Sequence, residues 1–208
     1  MNAVMGQLER ALLELDIALP PPAAGQLIAY LELIAKWNRV YNLTAIREAD
    51  RALTHHVLDC LAVLPHLEGG RTADVGSGAG LPGIPLALAR PDWRVTLIES
   101  NHKKSTFLAQ VLSELRIQNA AVAADRVEAV EPAGGFDLVI SRAFSDLPEY
   151  ARLAGRLVAP EGTLAAMKGL YPDEELALLP PAWQVDRVIP LKVPGIEAAR
   201  HLVTLKRA

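Results

Sequence analysis

At Arg71 the spacing of apolar residues changes, and that change limits the chain to one class of fold. From there on, short apolar or β-branched runs alternate with helical stretches. The runs are "RTADV" (71–75), "RVTLIES" (94–100), "AAVAA" (120–124), "FDLVISR" (136–142) and "TLAAMK" (163–168). Helices are expected at about 83–90, 102–115, 148–158 and 173–179. Such alternation needs right-handed crossovers, which place the strands parallel and the helices on both faces of one sheet. The last two runs, "WQVDRVIPLKV" and "RHLVTLKR", have no helix between them and predict an antiparallel hairpin.

Before Arg71 the period is helical. Leu8, Leu12, Leu15 and Leu19 share one face until Pro20–Pro22 break it. Leu27, Tyr30, Leu31, Ile34 and Trp37 repeat the spacing, and Leu53, Val57, Leu61 and Leu64 mark a third helix from about Asp50 to Leu64. The expected architecture is α/β, a doubly wound Rossmann-like sheet ending in a hairpin, with an N-terminal helical cap. It divides into a helical region, 1–68, and a sheet domain, 69–208.

The sequence has 208 residues, half of them apolar and 22% charged, with a net charge of −3. That composition supports a buried core and gives no global basic signal for nucleic acid, so an RNA partner would need a local patch. Cys60 is the single cysteine, which excludes a disulfide framework and a cysteine zinc cluster and fits a reducing cytoplasm. No metal site is expected either, because His55–His56 lacks spaced partner ligands. The charges at Glu9, Arg10, Glu14 and Asp16 break the first apolar run too often for a signal peptide. No uncharged run approaches the ~20 residues of a membrane helix.

In a doubly wound sheet the ligand lies beyond the carboxyl ends of the strands. There the chain reads "ADVGSGAGLPGIPLALA" (73–89). Gly78-x-Gly80-x-x-Gly83 alone resembles a dinucleotide loop, and no Gly-Lys-Ser/Thr closes a phosphate loop. The acids discriminate. Asp74 stands two residues before Gly76, where a pyrophosphate at the helix N-terminus would meet a carboxylate. A ligand with a positive end reverses the sign, and S-adenosylmethionine, a sulfonium with an amino group, is such a ligand. Glu99 ends the second run and is placed to accept from ribose hydroxyls. The stretch "DRVE" (125–128) follows the third, where backbone of Arg126–Glu128 and an oxygen of Asp125 or Glu128 are placed to bound an adenine.

Methyl transfer from a sulfonium is an in-line displacement in which alignment does most of the work. Carbon-5 pyrimidine chemistry needs a cysteine, and Cys60 falls in the helical region as a core residue. Exocyclic-amine methylation commonly uses an Asn/Asp-Pro-Pro-aromatic clamp, and the fourth run leads instead into "SRAFSDLP" (141–148). A ring nitrogen with a free lone pair remains, and guanine N7 is one; it needs no general base. Arg142 ends the fourth run, placed to hold a methionine carboxylate or a guanine edge, or to pair with Asp74 or Asp146. Lys168-Gly169 and Arg200-His201 could face phosphates, although solvated surface charge is the simpler reading of each. A small-molecule methyltransferase and a non-catalytic scaffold are the rival readings.

The motifs "KWNRVYNLTAI" (36–46), "HHVLDCL" (55–61), "DVGSGAGLPGIPLA" (74–87), "SRAF" (141–144), "KG" (168–169) and "RHLVTLK" (200–206) occur in this order. Together they resemble the bacterial small-subunit rRNA guanine-N7 methyltransferases (RsmG, also called GidB). That resemblance covers nearly the whole chain. It implies a class I S-adenosylmethionine-dependent fold, a bacterial cytoplasmic setting and 16S rRNA as partner, modified at the family's guanine position 527. A partly assembled small subunit is the expected substrate, since a net charge of −3 favours weak binding of naked RNA. It also implies cofactor contacts from Gly76, Leu81, Val127, Glu128 and Arg142, beside Asp74, Gly78 and Glu99. Cys60 departs from the family's usual serine, and Asp125 from a usual small residue. Arg39 and Asn42 are expected on the RNA-facing surface.

Overall fold

A computed structural model describes residues 2–208. Its seven-stranded sheet is formed by β1 (Arg71–Val75), β2 (Arg94–Ile98), β3 (Ala120–Ala123), β4 (Phe136–Arg142), β5 (Val158–Lys168), β6 (Trp183–Pro190) and β7 (His201–Arg207). The order is β3-β2-β1-β4-β5-β7-β6. Strands β1 to β5 pair in parallel and β7 pairs antiparallel with both β5 and β6. This is the expected doubly wound sheet with its terminal hairpin. Strand order reverses between β1 and β4, so the crevice at their carboxyl ends is the switch point where such sheets bind ligands.

The helices are α1 (Asn2–Glu14), α2 (Ala23–Tyr41), α3 (Ala49–Ala52), α4 (Asp59–Leu61), α5 (Gly83–Ala89), α6 (His102–Glu114), α7 (Leu147–Ala154) and α8 (Asp173–Ala177). The third expected helix is broken: a π-helical segment, Leu53–Leu58, joins α3 to α4. Strand β5 starts five residues earlier than its β-branched run suggests. Val158 pairs with Phe136, and the register then shifts so that Thr163 meets Leu138. The chain can loop out between them because Gly162 packs on the carbonyl of Phe136, where a Cβ would stand 2.7 Å away.

Alternation along β4 separates two cores. Leu138 and Ile140 face the N-terminal helices, α5 and α6, in a core that also holds Leu8, Leu27 and Leu61. Val139 faces α7 with Val75, Tyr150 and Trp183. The first core crosses residue 68 without interruption, so the helical cap and the sheet share apolar packing. Among the described residues no helix is long and apolar enough to cross a membrane.

Candidate cofactor cleft at the switch point

The loop after β1 is held in a bend that ordinary residues resist. Gly76, Gly78 and Gly80 have φ of +67°, +60° and +98°, the left-handed region that side chains disfavour. The amides of Gly76 and Ser77 both donate to the carbonyl of Ile98 at 3.0 Å, tying the loop to β2. From the cap, Tyr30 Oη donates to the carbonyl of Ala79 at 2.6 Å. An aromatic from α2 therefore braces a loop 49 residues away, which no local pattern announces.

Asp74 stands behind this loop. It is fully buried, and its Oδ2 accepts from Ser77 Oγ at 2.5 Å and from the Gly83 amide at 2.9 Å. Its carboxylate was expected to oppose a ligand's positive end; the structure shuts it behind the loop, where only its charge could reach one. Burial pushes its pKa up to about 6, against the hydrogen bonds from Ser77 and Gly83 and the charge of Arg142. Its Oδ1 is buried with no hydrogen-bond partner. Glu99 is at the loop's edge, where Oε2 accepts from the Gly78 amide and Oε1 from the Asn101 amide, each at 2.8 Å. Each oxygen keeps a lone pair free in a fixed direction.

A cleft of about 260 Å³ opens in front of the loop. Gly76, Gly78, Leu81 and Arg142 line it, as do Leu43, Thr44, Lys104 and Ala143. The structure thus brings together four of the residues expected at the site and adds six, Ser77 and Ala79 of the loop being the other two. Val127 and Glu128 are elsewhere, in a 3₁₀ turn (Val127–Ala129) after β3; Val127 is buried in the α7-side core and Glu128 is exposed. Ala143 has φ +57°, a strained conformation for a residue with a Cβ, of the kind that collects at functional sites.

Arg142 does not pair with Asp74 or Asp146. Its Nη1 donates to the carbonyl of His55 at 2.7 Å and to Asp59 Oδ2 at 3.2 Å, while Arg200 Nε donates to Asp59 Oδ1 at 3.0 Å. One buried carboxylate therefore bridges two guanidiniums, one at the end of β4 and one just before β7. Lys168 is also held, donating to Glu175 Oε2 at 2.6 Å and to the carbonyl of Ser145. Lys168 and Arg200 are ion-paired groups and not solvated surface charges. Asp59 could have been suspected only from its place in "HHVLDCL".

The wall opposite the loop comes from Leu43 and Thr44, just after α2. Asn38 holds it: Nδ2 donates to the carbonyl of Thr44 at 2.9 Å and Oδ1 accepts from the Thr44 amide at 3.0 Å. Thr44 Oγ1 also bonds His56 Nε2 at 3.1 Å. Burial, with Arg142 nearby, lowers the pKa of His56 to about 4, so its imidazole stays neutral. Cys60 is fully buried and its thiol pKa is pushed up, first by burial.

The sequence profile described as rRNA small subunit methyltransferase G matches residues 23–203. The chain belongs to that family. Relatives of that name are 55% identical in Nitrosospira multiformis, over 97% of each chain, and 55% identical in Laribacter hongkongensis, over 96% of each. The fold is also that of known methyltransferases. An S-adenosylmethionine-dependent methyltransferase from Aquifex aeolicus superposes with a TM-score of 0.58 at 16% identity, covering 74% of this chain and 92% of that one. Mitomycin 7-O-methyltransferase superposes with a TM-score of 0.62 at 16% identity, covering 86% and 60%.

The residues present suit the family's cofactor. At Gly78 an added Cβ would meet nothing nearer than the Gly76 carbonyl at 3.8 Å, so that position leaves open space. Asp74 behind the loop would oppose a positive centre, and Arg142 and Lys104 would supply counter-charge for a carboxylate on the same ligand. Gly78→Ala should cost about 1–2 kcal/mol in stability through its positive φ, yet weaken S-adenosylmethionine binding about tenfold or more by filling that space. Gly134→Ala, with φ +75° in the β3–β4 connection, carries similar strain and should leave binding unchanged. Urea midpoints and titration calorimetry on both variants check the pair.

Proposed function

We propose that this protein transfers the methyl group of S-adenosylmethionine to N7 of a guanine in 16S rRNA, the guanine at position 527, in a small-subunit particle in the cytoplasm. The observation that carries the acceptor is the chemistry of the cleft walls. Their ionisable side chains, among the described residues, are Lys104 and Arg142. An ammonium and a guanidinium are hydrogen-bond donors with no acceptor to offer. His56 behind Thr44 is neutral but buried, with Nε2 engaged, and the buried Cys60 thiol is no nucleophile. An acceptor that must lose a proton finds no group to take it. Guanine N7 offers a lone pair and carries no proton.

The cofactor supplies a methyl group on a sulfonium. The chain aligns donor and acceptor and excludes water, which accounts for the catalysis such a displacement requires. Gly76, Gly78 and Leu81 shape the pocket, and Glu99 accepts from the ribose hydroxyls. Beyond the cleft's own lining, the turn after β3 that carries Val127 and Glu128 bounds the adenine. Arg142 holds the carboxylate or the guanine edge, kept in place by Asp59. Residues 69–208 form the cofactor domain and 1–68 its cap.

Incubating unmodified small-subunit rRNA and partly assembled subunits with methyl-labelled cofactor, then separating the nucleosides, tests this reading. Label is expected in 7-methylguanosine alone. Label in another nucleoside overturns the acceptor, and no label in either RNA favours a small-molecule acceptor.

A further inference from the structure

Helix α2 ends at Asn42, whose φ of +47° turns the chain back toward the cleft and leaves Tyr41 and Val40 outside. Both are exposed, Tyr41 at 44% and Val40 at 71%. Folding offers no reason to expose an aromatic ring there, yet this ring is held. Trp37 packs on it with centroids 5.3 Å apart and is itself packed on Phe107 of α6 at 5.3 Å. Lys103 Nζ lies 5.9 Å from the centre of the Tyr41 ring.

The place matters as much as the ring. Tyr41 is two residues from Leu43 and Lys103 is next to Lys104, and Leu43 and Lys104 are both walls of the cofactor cleft. The pair therefore stands on the rim of that cleft. Arg39 is exposed on the same end of α2, and Arg47 is anchored through Nη2 to Asn42 Oδ1 at 3.0 Å. The acids nearby do not cancel these cations. Glu99 is one charge against those of Arg39, Arg47, Lys103 and Lys104, Glu48 faces Arg51 at 3.9 Å, and Glu32 lies more than two helical turns before Tyr41. A chain with a net charge of −3 thus gathers positive charge beside a fixed exposed aromatic at the mouth of its cleft.

We propose that Tyr41 is a stacking platform for an unpaired base of the RNA substrate next to the target nucleotide, with Lys103 holding a neighbouring phosphate. The inference rests on the proposed RNA substrate and adds where that RNA is gripped. A flat ring stacks on any base, and a lysine at its edge meets the phosphate that follows. A second protein is a poorer occupant, because the exposed apolar area is one ring and one valine.

Fluorescence anisotropy with in vitro transcribed small-subunit rRNA tests this without requiring catalysis. Tyr41→Ala is expected to weaken RNA binding about tenfold, and Tyr41→Phe, which keeps the ring, to stay within about twofold. Lys103→Ala should reduce the slope of log affinity against log salt by about 0.7–0.9, the loss of one phosphate contact. Calorimetry with S-adenosylmethionine should give the same affinity for all three as for the parent protein, which also shows that each is folded. The platform is overturned if Tyr41→Ala binds RNA as tightly as the parent or if Tyr41→Phe is equally impaired. It is overturned as well if cofactor affinity falls in parallel, since Tyr41 would then be supporting the cleft wall. The expected binding losses without any 7-methylguanosine would leave the platform standing and remove the proposed acceptor.

Discussion

Asp74→Asn is expected to weaken binding of S-adenosylmethionine about tenfold at about pH 7.5 while changing the affinity for neutral adenosine less than about twofold. Opposite charges separated by a layer of loop backbone, at an effective dielectric of about 20, attract by about 1–3 kcal/mol. Asparagine keeps an oxygen for Ser77 Oγ and the Gly83 amide, so the loop retains the hydrogen bonds that shape it. The dependence on pH identifies charge as the cause. With the Asp74 pKa at about 6, the parent protein should lose its advantage as pH falls through 6 and converge with the variant. Calorimetry across that range, with both ligands, makes the comparison. Equal losses for both ligands, or parallel curves for both proteins, would refute the charge argument.

Stability should move the opposite way. The folded pKa of Asp74 lies above its ordinary 3.8, so the folded state binds this proton more tightly than the unfolded one. The favourable contribution is complete below about pH 4 and is lost as pH rises to about 6. Above that, the buried charge costs on the order of 3 kcal/mol. Relative to Asp74→Asn, the parent's urea midpoint should therefore fall across that window and hold a constant deficit above it. Both outcomes together would mark Asp74 as a carboxylate whose charge weakens the fold near neutral pH while favouring a cationic ligand.

Asp59→Ala should be the most damaging single change outside the glycine loop. It leaves Arg142 and Arg200 beside one another, each under a quarter exposed, with no shared anion. Removing one partner of a buried pair costs about 3–5 kcal/mol, which for a chain of this length lowers Tm by about 6–20 °C. Activity should fall further than stability explains, because Arg142 loses one of the two acceptors that aim it into the cleft. Calorimetric melting with initial rates taken well below Tm separates the two effects. Asp59→Asn, which keeps an acceptor, should fall between the variant and the parent. An unchanged Tm for Asp59→Ala would show that the bridge contributes nothing.

How far the site was legible depended on how local its cause was. The glycine bend, Asp74 before it and Glu99 after the next strand follow from neighbours in the chain, since turn conformation and strand ends are set within a few residues. Arg142 was legible as the end of a strand but not by partner. Its acceptors lie 83 and 87 residues earlier, Asp59 at the start of α4 and His55 on the π-helical segment before it. Lys168 and Arg200 carried the ordinary expectation for a lysine and an arginine, solvation, until folding placed Glu175 and Asp59 beside them.

Periodicity and turn chemistry alone determined that the chain alternates strands and helices, closes with a hairpin and bends around glycines at the first strand's end. These are consequences of which dihedrals each residue tolerates and which face it can bury. Only the tertiary structure decided that Tyr30 braces the loop, that Asn38 and His56 hold Thr44 as the opposite wall, and that Asp59 joins two arginines. Each of those is a contact between distant segments. A hydrogen bond across such a separation has a defined energy only after packing of the shared core has brought its two ends within about 3 Å.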